Sequence, residues 1–224
     1  MEMMERFDDV EEACFLVAYF RFQYNMIARV DDTAKFRSPD LLKPFHQYPE
    51  YGVIVKLCWS KTVMKERDAP DQVLIGAMDR RYRVLIGLSM WLEMHYMLNS
   101  ENNEYIFGID GRTNPISIKA KASSLLLSIF EDNEFNVVDN GNKGTHGMRK
   151  FATNKARGNG CSKDDTDCRA RWKRSGLTAQ VACDRIYDVY GRNKSVTQIL
   201  KLLQADTKLV DILIYVYKLN KFIK

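Results

Sequence analysis

Between residues 5 and about 30, the apolar side chains Phe7, Val10, Phe15, Leu16, Tyr19, Phe20 and Ile27 recur at helical spacing. That pattern predicts a long, largely buried helix. Such a helix must be enclosed by other elements, and a chain of 224 residues is long enough to bury a core around it. Length alone suggests one large domain or two small ones. No stretch reads as a linker, so a single domain over residues 1–224 is expected. The longest apolar runs, residues 13–20 and 212–217, fall well short of the roughly 20 residues that a membrane-spanning helix needs. The start of the chain is acidic rather than basic and carries no secretory signal pattern.

Further along, Pro39, Pro44 and Pro49 keep residues 36–51 out of regular helix. Residues 53–59 and 72–75, rich in β-branched and apolar side chains, predict an antiparallel hairpin. Helical patterning returns over residues 81–98 and 116–130, separated by a polar connection with a turn at Gly111. A loop rich in Asn and Gly follows at residues 136–144. Residues 146–157 read as a helix closed by Gly158-Asn-Gly160, and Ser162-Lys-Asp-Asp165 has the form of a capping box opening another helix toward Lys173. Residues 178–190 and 196–222 complete a mainly helical C-terminal half. The expected fold is mainly α with a small antiparallel β-hairpin or sheet, an α+β chain.

Charge is unevenly spread. Residues 141–175 hold ten Lys or Arg against three Asp, whereas residues 2–12 carry six acids against one Arg. A concentrated basic segment in an otherwise balanced chain suits a polyanion such as nucleic acid, or equally a solvated basic face. Five scattered cysteines (Cys14, Cys58, Cys161, Cys168, Cys183) without a CxxC pair point to reduced thiols in an intracellular compartment. Zinc ligation by Cys161, Cys168, Cys183 and His146 is set aside because the spacing gives no compact ligand pair. Gly158-Asn-Gly160 lacks the Gly-Lys-Ser/Thr ending of a phosphate loop. Within the basic segment, His146 and Arg149 stand three apart, on one face near a helix start, where an anion is favoured.

The run from Gly144 to Lys173 resembles the tyrosine recombinase catalytic core, most closely the variety of crypton-type elements and large DNA viruses. The resemblance is carried by Gly144-Thr-His-Gly-Met-Arg-Lys150, Gly160-Cys-Ser162 and Arg169-Ala-Arg-Trp-Lys173. It implies a mobile-element or viral integrase that cuts and rejoins duplex DNA through a 3′-phosphotyrosine, with neither metal nor nucleotide cofactor. His146, Arg149 and Trp172 then match three active-site positions. Tyr24-Asn-Met-Ile-Ala-Arg-Val-Asp-Asp-Thr33 resembles the element bearing the family's first arginine, which makes it Arg29, with Asp32 as acidic support. Leu57-Cys-Trp-Ser-Lys-Thr62 puts Lys61 at the family's hairpin lysine. Tyr187, in Asp184-Arg-Ile-Tyr-Asp-Val, is taken as the nucleophile ahead of Tyr190. Lys143, Lys150, Arg169 and Lys173 are expected to contact DNA.

By that resemblance the chain divides into residues 1–35 with the first arginine, 52–76 with the hairpin lysine, 77–135, 144–191 with the His, Arg, Trp and Tyr elements, and 195–224. Only Met1 to Ala28 precede Arg29, so the family's N-terminal DNA-gripping domain is expected to be absent. The expected partners are double-stranded DNA and further copies of the chain, as a dimer or tetramer on DNA, in the nucleus or cytoplasm. Residues 196–224 either finish the monomer core or dock into a neighbouring subunit. Taken singly, each residue also fits a plainer role: Arg29 capping the preceding helix, Lys61 in a solvated loop, Trp172 in a core, Tyr187 and Tyr190 in packing. Arg171, Lys173 and Arg174, flanking Trp172, predict that its helix is not buried all round. Open alternatives are a type IB topoisomerase-like enzyme, a catalytically inactive DNA-binding derivative and a helical interaction protein.

Overall fold

A computed structural model describes residues 9–44, 52–58, 71–75, 82–98, 104–131 and 145–171. The first helix, α1 (Val10–Asn25), starts where the Asp9 carboxylate accepts the backbone N–H groups of Glu11 at 2.8 Å and Glu12 at 3.3 Å. From Ala13 to Tyr24 every side chain except the half-buried Arg21 is buried. This is the enclosure that the sequence pattern predicts. α1 packs on α3 (Val84–Leu98), α4 (Pro115–Glu131) and α5 (Thr145–Gly158). At Gly87, where α3 packs on α1, a Cβ would lie 3.4 Å from the Ala18 Cα, in ordinary van der Waals contact.

Aromatic rings fill the space around α1. Phe15 meets Trp91 edge-on at 5.5 Å, and Tyr19 and Phe22 both pack against Phe107. The polar ends of these rings are satisfied: the Trp91 indole donates to the Ile106 carbonyl and the Tyr19 hydroxyl to the Val30 carbonyl, each at 2.6 Å.

The expected helix to about residue 30 is corrected. α1 stops at Asn25, and the chain turns before a second short helix, α2 (Val30–Ala34). The Ile27 N–H donates to the Tyr24 carbonyl and the Ala28 N–H to the Gln23 carbonyl, the paired bonds that close a helix through a left-handed residue. That residue is Ile27, with φ 45°. Glycine is usual there; the isoleucine is retained because its side chain is buried in a small cluster with Tyr24, Ala152 and Ala170. The apolar periodicity therefore runs straight through a break in the helix.

After a 3-10 turn at Ser38–Asp40 come β1 (Leu41–Pro44), β2 (Gly52–Lys56) and β3 (Asp71–Ile75), an antiparallel sheet in the order β1-β2-β3. The predicted hairpin is β2–β3. β1 lies in the proline-bearing stretch expected to be a plain connection, and Pro44 is tolerated because β1 is an edge strand that it terminates. α5 closes as predicted, with Gly160 at φ 94°, its N–H on the Arg157 carbonyl and the Cys161 N–H on the Ala156 carbonyl. Ser162 Oγ then accepts the Asp165 N–H at 3.1 Å and opens α6 (Lys163–Arg169), which ends before Lys173. Cys14, Cys58 and Cys161 are buried thiols.

The described part is thus mainly helical with one small antiparallel sheet. None of its helices is long and apolar enough to cross a membrane. The predicted loop at residues 136–144 and helices at residues 178–190 and 196–222 lie outside the described residues.

Candidate functional site

At the end of α1 the chain brings together groups that are distant in sequence. Arg29 precedes α2; Arg149 lies on α5; Arg171 follows α6; Asp32 lies between them on α2. Asp32, only 4% exposed, accepts through one oxygen from the backbone N–H of Arg29 and from Nη2 of Arg171, both at 3.3 Å. Arg171 is 5% exposed, and its Nη1 also reaches Oε1 of Gln72 on β3 at 3.2 Å and the Met26 carbonyl at 3.4 Å. Arg149, 6% exposed, donates from Nη2 to the Ala170 carbonyl at 2.5 Å.

Asp32 is engaged by Arg171 and by main chain. Burial, followed by repulsion from Arg171 and Arg29, pushes the Arg149 guanidinium down to about 10, against attraction from Asp32. Among the described residues, then, four arginines, Arg29, Arg149, Arg169 and Arg171, gather around the one carboxylate of Asp32. Arg29, half-buried beside buried arginines, is the edge of this cluster that an anion can reach, and guanidinium forks suit phosphate oxygens. Arg29 is half-buried, and among the described residues its guanidinium makes no hydrogen bond or ion pair.

The plainer role for Arg29, capping α1, is taken by other residues. The Asn25 carbonyl accepts Nε of Arg169 at 3.0 Å and the Met26 carbonyl accepts Arg171. Arg169, expected among the DNA contacts, is corrected to an internal strut. It is 9% exposed, and Nη2 donates to the Val73 carbonyl of β3 at 2.9 Å, so its guanidinium is committed to backbone. Arg171 is buried as well, because Asp32, Gln72 and a helix end supply acceptors for its charge, while α6 before it exposes Lys163 and Asp164. The basic segment is therefore divided, with Lys150, Lys155, Arg157 and Lys163 exposed and three arginines turned inward.

His146 is the second residue of α5, one turn before Arg149. Lys61 falls in the sequence between β2 and β3 and, with Lys143, Trp172, Lys173, Tyr187 and Tyr190, lies outside the described residues. Two residues of the cluster escaped the sequence reading. Arg171 was hidden by its basic neighbours; nothing local distinguishes Gln72, whose amide lies on a strand and bonds the Arg169 carbonyl from Nε2 at 2.9 Å. No family model, curated protein or solved structure matches the chain. The functional reading rests on these residues and their chemistry.

Proposed function

We propose that this chain is a site-specific DNA recombinase or integrase of the tyrosine recombinase class, which cuts and rejoins duplex DNA through a 3′-phosphotyrosine intermediate. The observation that carries the reading is a chain of bonds between remote segments: Arg149 on α5 donates to the Ala170 carbonyl beside Arg171, Arg171 pairs with buried Asp32, and Asp32 accepts the Arg29 N–H. That linkage supports a phosphate-binding role which spacing alone left open. The two guanidinium groups hold the nonbridging oxygens of the scissile phosphate and offset charge that grows there in the transition state.

A tyrosine hydroxyl, with a pKa of about 10, needs a base or local positive charge to attack at neutral pH. His146 takes or shares the proton of Tyr187, Lys61 protonates the departing 5′ oxygen, and Trp172 donates its indole N–H or packs the nucleophile. One phosphodiester becomes a phosphotyrosine diester and then a phosphodiester again, so no nucleotide is consumed. Lys150, with Lys143 and Lys173, holds flanking phosphates.

A nicked suicide duplex tests the reading, because loss of the short fragment that bears the released 5′-hydroxyl prevents rejoining and leaves a covalent protein–DNA species that survives SDS. The wild type should form that species, Tyr187→Phe should form none and Tyr190→Phe should form it. Adducts that persist in Tyr187→Phe and vanish in Tyr190→Phe would move the nucleophile by one helical turn. Absence of any wild-type adduct on duplex that the protein binds overturns the enzyme and leaves a DNA-binding derivative. Relaxation of supercoils without two-site exchange would favour the topoisomerase-like alternative.

A further inference from the structure

We infer that Arg171 is a positioning residue for Arg149: it anchors the turn after α6 so that the Ala170 carbonyl holds the Arg149 guanidinium in place. The inference rests on the reading of Arg149 as a phosphate-contacting residue, but the positioning itself can be tested without DNA.

Arg171 has a φ of 58°, a left-handed conformation that is strained for a residue with a side chain and persists where surrounding bonds fix it. The Arg171 guanidinium reaches Asp32 on α2, Gln72 on β3 and the Met26 carbonyl at the end of α1, three separate parts of the chain. The peptide linking Ala170 to Arg171 carries both the Ala170 carbonyl and the Arg171 N–H in one plane. Rotation about φ of Arg171 therefore turns that carbonyl relative to the anchored side chain. With the side chain pinned and φ fixed, the carbonyl has one direction, and it accepts Nη2 of Arg149 at 2.5 Å.

The anchor also involves the hairpin. Gln72 uses both ends of its amide, Nε2 on the Arg169 carbonyl and Oε1 on Arg171. Arg169 adds a bond to the Val73 carbonyl of the same strand. One turn thus ties α2, β3 and α5 together. A purely packing role for Arg171 needs only the volume and the ion pair. A positioning role needs the planar fork that serves Asp32, Gln72 and Met26 at once, which lysine cannot reproduce.

The test is the Arg149 side-chain Nε–Hε signal in the nitrogen-15 spectrum of the full chain, assigned by its loss in Arg149→Lys. In the wild type it should be shifted from the position of solvent-exposed arginines and exchange slowly. In Arg171→Lys, which keeps the charge, it should move to that exposed position and exchange faster, while the backbone spectrum stays dispersed. Gln72→Met, which removes both amide bonds and leaves the Asp32 pair, should move it in the same direction by less. It also covers the case in which Arg171→Lys does not fold. An Arg149 signal unmoved in a folded Arg171→Lys chain, or in folded Gln72→Met when the lysine variant fails, overturns the inference.

Trapping on the suicide duplex separates this from the strand-transfer reading. If the wild type forms adducts, Arg171→Lys should lower the rate at saturating DNA by about 10²-fold with the half-saturating concentration unchanged, the result of misplacing one reacting group. Loss of DNA binding with an unchanged saturated rate would contradict it. A wild type without adducts, but with an Arg149 signal that moves in Arg171→Lys, keeps the positioning and discards the chemistry.

Discussion

Around Phe15 and Trp91 the molecule buries rings; around Asp32 and Arg171 it buries charge. Both regions touch α1, the first along its length and the second at its C-terminal end. In the ring cluster each group fills space, and its few polar atoms are satisfied by carbonyls, as Trp91 and Tyr19 are. In the charged region nearly every bond joins elements far apart in sequence: Asp32 to Arg171, Gln72 to Arg169, Arg149 to Ala170. Hydrophobic burial is non-directional and sets the overall packing, whereas the polar hub fixes directions. The phosphate-binding role proposed for Arg29 and Arg149 would call for the second kind of construction.

The comparison predicts different responses to damage. Trp91→Ala should cost about 3–5 kcal/mol in urea unfolding, from lost burial and the cavity left behind. Asp32→Leu should cost a similar amount, about 3–5 kcal/mol, because it leaves Arg171 buried without its counter-charge. The two should part on repair. Arg171→Met added to Asp32→Leu should restore most of the loss, while a second substitution that leaves the Trp91 cavity empty should not rescue Trp91→Ala. No recovery in the Asp32/Arg171 double variant would mean that the hub is held by something other than this pair.

A smaller effect concerns the two helix ends closed through a left-handed residue. Ile27→Gly relieves the backbone at φ 45° but forfeits a buried side chain, for a net loss of about 1–3 kcal/mol. At Gly160, with φ 94° and open space around a built Cβ, Gly160→Ala should cost only the backbone strain, about 1–2 kcal/mol. An Ile27→Gly chain more stable than wild type would show that the Tyr24–Ala152–Ala170 cluster contributes little.

These contrasts explain what could be read from the sequence. α1, α3, α4 and the β2–β3 hairpin are legible because their sequences are dense in apolar residues, and α1 and β2 bury nearly every side chain. The stop at Gly160 follows from glycine. The stop at Ile27 was hidden, since an isoleucine at helical spacing reads as more helix, and its compensation comes from α5 and the turn after α6. β1 was masked by its prolines, and its partner β2 supplies the pairing. In the site, Arg29, Asp32 and Arg149 were legible as residue types in a motif, but their meeting was not. That Arg169 and Arg171 turn inward is not legible in the sequence, because a run of basic residues carries no local sign of which ones do so; the acceptors are on α1, α2 and β3.

Two effects on DNA binding are smaller still. With its guanidinium pushed down to about 10, Arg149 should be charged at neutral pH and lose its charge as pH rises through that value. Its contribution to DNA affinity, measured as the difference between wild type and Arg149→Ala, should be constant from neutral pH upward and close as pH passes about 10. A difference that persists well above that pH would indicate that bound phosphate holds the proton on. On the exposed face of α5, Lys150→Ala should make the log–log salt slope shallower by about 0.9, one phosphate contact, without altering urea stability. An unchanged slope would remove Lys150 from the interface.

The central claim is that Arg29 and Arg149 act on the charge of one phosphate, and a neutral phosphate tests it most directly. Adduct formation is followed on suicide duplexes with either an ordinary phosphodiester or a methylphosphonate at the cleavage position. On the phosphodiester, Arg29→Ala and Arg149→Ala should each lower the rate by at least about 10²-fold. On the methylphosphonate, which has no negative oxygen to neutralise, both variants should recover most of that loss relative to wild type. Equal deficits on the two substrates would contradict the account, since the arginines would then be serving the fold or another part of the DNA rather than the scissile phosphate.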